Sequence, residues 1–131
     1  MDGGTAVERG SPKRRLGDEA EQRVARHLCA QGFVIEASNH ACRYGEVDLI
    51  ARRGGLWCFI EVRMRASAVF GMPAGTVSRK KQRRVAVAAL DFLQRRRLHG
   101  RVEVRFDVVS VVGRGEAAQV EHLPGAFESP F

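Results

Sequence analysis

The 131-residue sequence is short of lysine, cysteine, aromatic residues and long apolar runs, and each shortage removes a class of protein. Its longest uninterrupted apolar stretch, Val85 to Leu90, falls far below the roughly 20 residues of a membrane-spanning helix. The opening Met-Asp-Gly-Gly-Thr has no basic stretch followed by an apolar one, so no secretory leader is expected. Cys29, Cys42 and Cys58 are odd in number and scattered, which argues against a disulfide framework. A soluble cytoplasmic protein without a membrane partner is the simplest expectation. Aromatic residues make up only 7%, with one Trp and one Tyr, too few to form a platform for stacking single-stranded bases. There is no Gly-Lys phosphate loop and no Ser, His and Asp constellation. His40 and Cys42 lie close together, but His27, His99 and Cys58 add no zinc-ligand spacing.

What the chain does have is positive charge. Lys and Arg number 22 against 15 Asp and Glu, for a formal net charge of +7. The sequence pI near 10.3 favours an anionic partner, and nucleic acid is the commonest one. Nineteen of the 22 cations are arginine and three are lysine. A chain of this length has one domain as its prior and can bury a core of its own.

Residues 1–12 carry Gly, Ser, Pro and charge without periodicity and read as a flexible arm, with one α/β domain over 13–127 and a tail at 128–131. Leu16, Ala20, Val24 and Leu28 recur every four positions, which predicts a helix from Lys13 to about Gln31. Phe33 to Ala37 reads as a short strand. Tyr44–Arg53 and Leu56–Arg65 alternate in polarity around Gly54-Gly55, a hairpin signal. Residues 66–76 read as a loop and Val77 to about Arg97 as a second helix. Val102–Val112 is β-branched enough for a buried strand; Val120–Leu123 is a short last strand and Pro124 onward a tail. Hairpin, helix and buried strand in that order predict a right-handed crossover and a mixed sheet of four to five strands with two main helices.

The informative feature is the placement of the acids. Strict alternation puts Glu46, Asp48 and Ile50 on one face of their strand, with Val47, Leu49 and Ala51 on the other. If Gly54 and Gly55 alone make the turn, Asp48 lies opposite Glu61, and Glu46 opposite Arg63. Like charges directly opposed are destabilising unless a cation joins them. Two carboxylates with waters and phosphate oxygens suit Mg²⁺ or Mn²⁺; neutralisation by Arg63, Arg65 or another arginine, or a bulge that shifts the register, is the plainer alternative. Glu21 falls on the core side of the first helix, where a carboxylate needs a metal or a cationic partner such as Arg43 or Arg105. Ser78, Lys81 and Gln82 continue the apolar face of the second helix. Arg79, Lys80, Arg83 and Arg84 lie on its outer face and, with Arg52, Arg53 and Lys13 to Arg15, could track phosphates. Arg105 and Asp107 share a strand face and read as a structural pair.

Taken in order, these segments resemble a known family. Gly17-Asp18-Glu19-Ala20-Glu21, Gly32-Phe33, Asn39, Arg43, Gly45-Glu46-Val47-Asp48-Leu49-Ile50 and Phe59-Ile60-Glu61-Val62-Arg63-Met64-Arg65 match, as do Gly71, Lys81-Gln82-Arg83-Arg84, Arg105-Phe106-Asp107-Val108-Val109 and Ala126-Phe127. The chain resembles the YraN family of bacterial proteins over about residues 16–127. That family is similar in fold to the PD-(D/E)XK nucleases and archaeal Holliday-junction resolvases. The resemblance implies a restriction-endonuclease-like, tRNA-endonuclease-like fold. It also implies Mg²⁺- or Mn²⁺-dependent cleavage of double-stranded or branched DNA, and a homodimer. It casts Asp48 and Glu61 as metal ligands and Glu21 as the helix-one glutamate that joins them. Arg63 stands at the motif lysine, with Lys81 or Gln82 approaching the phosphate and Arg43, Arg65, Arg79, Lys80, Arg83 and Arg84 along the nucleic acid. Arginine at position 63 departs from the pattern: it keeps charge and phosphate grip but is not deprotonated in proteins. Lys81 faces inward and could supply the missing lysine. The alternative readings are a binding module that lost its chemistry at position 63 and, with less weight, a protein-interaction adaptor.

Overall fold

The computed structural model describes residues 12–65 and 77–131, with side chains from Asp18 onward. The expected arm before Pro12, the side chains of Lys13 to Arg15 and the expected loop at 66–76 lie outside the described residues. The fold is α/β: helix α1 (Pro12–Ala30), strands β1 (Val34–Cys42), β2 (Gly45–Arg53) and β3 (Leu56–Arg65), helix α2 (Arg79–Arg95), then β4 (Glu103–Val112) and β5 (Gln119–Phe127). One sheet holds all five strands in sequence order, antiparallel except for the parallel pair β3–β4. The parallel pair requires a crossover, which carries α2.

The helices cover opposite faces of the sheet. Val85, Ala88, Ala89, Phe92 and Leu93 of α2 pack on Val47, Ile50, Trp57, Phe59 and Phe106. Ala20, Val24 and Leu28 of α1 pack on Leu49, Ala51, Cys58, Ile60, Val109 and Val111. Both faces are therefore apolar, and Leu56–Ile60 of β3 is an unbroken hydrophobic run, as a segment buried on both sides must be.

Three local expectations change. β1 is nine residues long and runs through Ser38, Asn39 and His40, where the polar sequence suggested a strand ending at Ala37. Pairing with β2 overrides that weak propensity. β5 extends past Pro124 to Phe127, with the register shifting between Phe106 and Val108 to pass the proline. Proline is tolerated there because the strand is at the sheet edge. The third change concerns β2. Its pairing with β3 follows the register expected from a two-glycine turn, from Arg53–Leu56 to Leu49–Ile60, and stops there. The expected oppositions of Asp48 to Glu61 and Glu46 to Arg63 lie beyond its end. Val47 also packs on the α2 face with Ile50, while Leu49 faces α1, so strict alternation fails at Asp48.

Candidate active site

The site lies where β2 and β3 part. Freed from the ladder, the Asp48 side chain turns toward β3 and accepts a hydrogen bond from the Val62 backbone N–H at 2.8 Å. Glu61 remains on the α2 face of β3 and is buried, with 6% of its surface exposed. Its Oε2 meets the Lys81 ammonium at 2.8 Å. Lys81 sits in the first turn of α2, which Ser78 caps by accepting from the Lys81 N–H at 3.1 Å. The cap fixes where α2 begins and so where the ammonium enters.

Glu21 approaches from the other helix. Its Oε1 accepts from the Asn39 side-chain amide of β1 at 2.9 Å. Asp18, Glu21, Gln22, Ser38, Asn39 and Leu49 help line a cavity of about 170 Å³ beside this contact. Asn39 is thus a partner of Glu21 that the sequence reading did not name. Arg105 is committed to Asp107, at 2.8 and 2.9 Å.

Burial and the charge of Glu61 are the main causes that push Asp48 up to about 8; Glu21 and Glu46 add to the rise, and the Val62 N–H opposes it. Excess negative charge thus persists around Asp48 although Lys81 neutralises Glu61. A hard divalent cation fits that excess, since the donors are all carboxylate oxygens. Asp48 and Glu61 would hold it, with water and phosphate completing its shell. Among the described residues no three His, Cys, Asp or Glu side chains converge as a metal cage. Glu21 adds its charge to those acting on Asp48.

The other sequence candidates divide. Gln82 turns away, donating to the Val77 carbonyl at 2.9 Å. Arg63 is half-buried on β3, two residues beyond Glu61. Arg79, Lys80, Arg83 and Arg84 are exposed along the start of α2, next to Lys81. Arg43 is exposed in the β1–β2 turn, its guanidinium 5.2 Å from the Tyr44 ring centre. Arg65 lies 3.8 Å from Glu121 and, with Arg23 and Arg114, lines a cavity of about 490 Å³ at the carboxyl ends of β3 and β4. Arg23 and Arg114 escaped the sequence reading because nothing in their spacing joins them.

A family model described as "Uncharacterised protein family UPF0102" matches residues 20–111, a span that contains Glu21, Asn39, Asp48, Glu61 and Lys81. The chain belongs to UPF0102, the YraN family. A UPF0102 protein of Myxococcus xanthus is 50% identical over 117 residues, covering 89% of this chain and 92% of the relative. One from Methylobacillus flagellatus is 38% identical over 116 residues, covering 88% and 99%. One from Yersinia pseudotuberculosis is 41% identical over 118 residues, covering 89% and 97%. This UPF0102 chain and these relatives therefore align along nearly their whole lengths, and the family match runs from within α1 to the end of β4.

Proposed function

We propose that the protein binds nucleic acid and cleaves its phosphodiester bonds at Asp48 and Glu61 with Mg²⁺ or Mn²⁺. The observation that carries this reading is the Lys81–Glu61 ion pair beside Asp48. Two acids and a lysine at one strand end are the elements of the nuclease motif that the sequence resembles, with the lysine arriving from α2 instead of position 63. The divalent ion would activate water and stabilise charge on the phosphorane. The chain's own part is to hold Asp48 by the Val62 N–H, to hold Glu61 against the Lys81 ammonium, and to present the Lys81 and Arg63 cations to phosphate oxygens. The exposed cations at the start of α2 supply backbone grip on a duplex or branched DNA.

A second reading is favoured by one observation. Arginine occupies position 63, and Glu61 already has a cationic partner in Lys81. Such a protein binds nucleic acid without cutting it. Incubating wild type, Asp48→Ala, Glu61→Ala, Lys81→Met and Arg63→Lys with duplex, branched and single-stranded substrates in Mg²⁺ or Mn²⁺ separates the readings. Cleavage by wild type, abolished in the two carboxylate variants and about 10²–10³-fold slower in Lys81→Met, is the expected result. Tight binding without cleavage by any variant establishes the second reading, and cleavage gained only by Arg63→Lys locates the lost step.

A further inference from the structure

β1 and β2 break their alternation at the same step of the ladder. In β2, Val47 and Ile50 both contribute to the core under α2 although three residues separate them. In β1, Ala37 packs against that same core, and His40, three residues later, sets its ring 5.4 Å from Phe92 within it. A strand of period two puts residues three apart on opposite faces, so each strand switches face once, although the pairing register holds from Ala37–Ile50 to Cys42–Gly45. The steps Ser38–Leu49 and His40–Val47 bracket both switches, leaving Asn39 and Asp48 between them.

Asn39 stands at the switch of face. Its φ is +53°, the left-handed region that a strand residue rarely enters and that asparagine tolerates better than most side chains. Glycine would adopt the same backbone more readily, so the backbone alone does not account for a side chain here. The side chain also serves the neighbouring helix. Its amide donates to Glu21 at 2.9 Å, and because Asn39 and Asp48 lie between the same two ladder steps, Glu21 is held beside the Asp48 step. One residue therefore stands at the change of face beside Asp48 and fastens the neighbouring carboxylate of α1.

We infer that Asn39 is a positioning residue, acting through Glu21 to set the divalent-cation affinity of the Asp48–Glu61 pair. The inference rests on the functional reading above and adds a residue to it. Asn39→Gly isolates the role, because glycine keeps the left-handed backbone and deletes only the amide.

The expected result by calorimetry is Mn²⁺ affinity about tenfold weaker in Asn39→Gly than in wild type, with an unchanged melting temperature. In a Glu21→Ala background the same substitution should change Mn²⁺ affinity no further. Equal affinity in wild type and Asn39→Gly, or a tenfold loss that persists without Glu21, overturns the inference. The contact is read independently by NMR: the Asn39 side-chain amide signal should shift in Glu21→Ala without metal. A wild type that binds no Mn²⁺ defeats the functional reading and the affinity role together. A shifted amide signal then preserves only the placement of Glu21, and an unshifted one removes that too.

Discussion

Asp48 and Asp107 are both acids inside one sheet, and their surroundings drive them in opposite directions. Asp48 is raised to about 8, first by burial and next by Glu61. Its folded form keeps a proton that the unfolded chain releases near the ordinary carboxylate range, so this group lowers stability as pH rises from about 4 to about 8. Asp48→Asn, which keeps an acceptor for the Val62 N–H, should therefore melt higher than wild type at pH 8–9 in chelator and nearly level with it at pH 4–5. Equal melting at both ends of that range would mean that the site carries no such repulsion. The same substitution should remove divalent binding, the trade between stability and activity expected where like charges are gathered for a purpose.

Burial also opposes ionisation of Asp107, but hydrogen bonds from His122, Arg105 and the Gly125 N–H outweigh it and hold the carboxyl at about 2. The corresponding stability is present above the ordinary carboxylate pKa and is lost as pH falls toward 2; integrated, it is about 2 kcal/mol. Asp107 is fully buried, so Asp107→Ala strands the partners of a buried ion pair. Urea denaturation at pH 7 should show a loss of about 3–5 kcal/mol. Cys58, pushed up to about 12 chiefly by burial, belongs to the same structural region and is no nucleophile.

At the scale of elements, the site depends on how closely α2 approaches β2. A Cβ on Gly45 would stand 2.1 Å from the Arg84 carbonyl oxygen and 3.2 Å from the Ala88 backbone nitrogen. Backbone atoms of a helix interior yield only if the helix moves. Gly45→Ala should thus shift α2 off the sheet, at about 1–3 kcal/mol by thermal or urea unfolding. Because Lys81 rides on that helix, the substitution should also weaken cleavage or nucleic-acid binding more than its stability loss explains. The sequence marks Gly45 as part of a motif, but the close approach is visible only once α2 is laid across β2. The β5 edge has a comparable anchor. Where Pro124 interrupts the ladder, Asp107 accepts from the Gly125 N–H at 3.0 Å and from His122 at 2.7 Å.

At the scale of the molecule, the charge of +7 is distributed unevenly. Glu21, Asp48 and Glu61 are gathered around one end of the sheet, whereas Arg79, Lys80, Arg83 and Arg84 stand exposed at the start of the helix beside it. Replacing those four cations by glutamine should weaken nucleic-acid binding at low salt. It should also flatten the dependence of log K on log salt by about one unit for each phosphate no longer neutralised, measured by fluorescence anisotropy. An unchanged slope would place the nucleic acid elsewhere.

Much of this arrangement was legible in the residues themselves. Apolar periodicity located both helices, the glycine pair fixed the β2–β3 turn and its register as far as Leu49–Ile60, and the inward phase of Lys81 anticipated its reach. These are local properties: side-chain period and turn geometry follow from covalent structure and a few neighbours. The change of face at Asn39 and Asp48 and the choice of Lys81 as the partner of Glu61 are not local. Each arises because α1 and α2 press on opposite faces of one sheet, and the positions of those faces are set by packing among residues remote in sequence. The chain alone singled out the candidate carboxylates Glu21, Asp48 and Glu61. Tertiary structure decided which way each one faces and which cation answers it, because buried charges take whatever partner the folded core brings within reach.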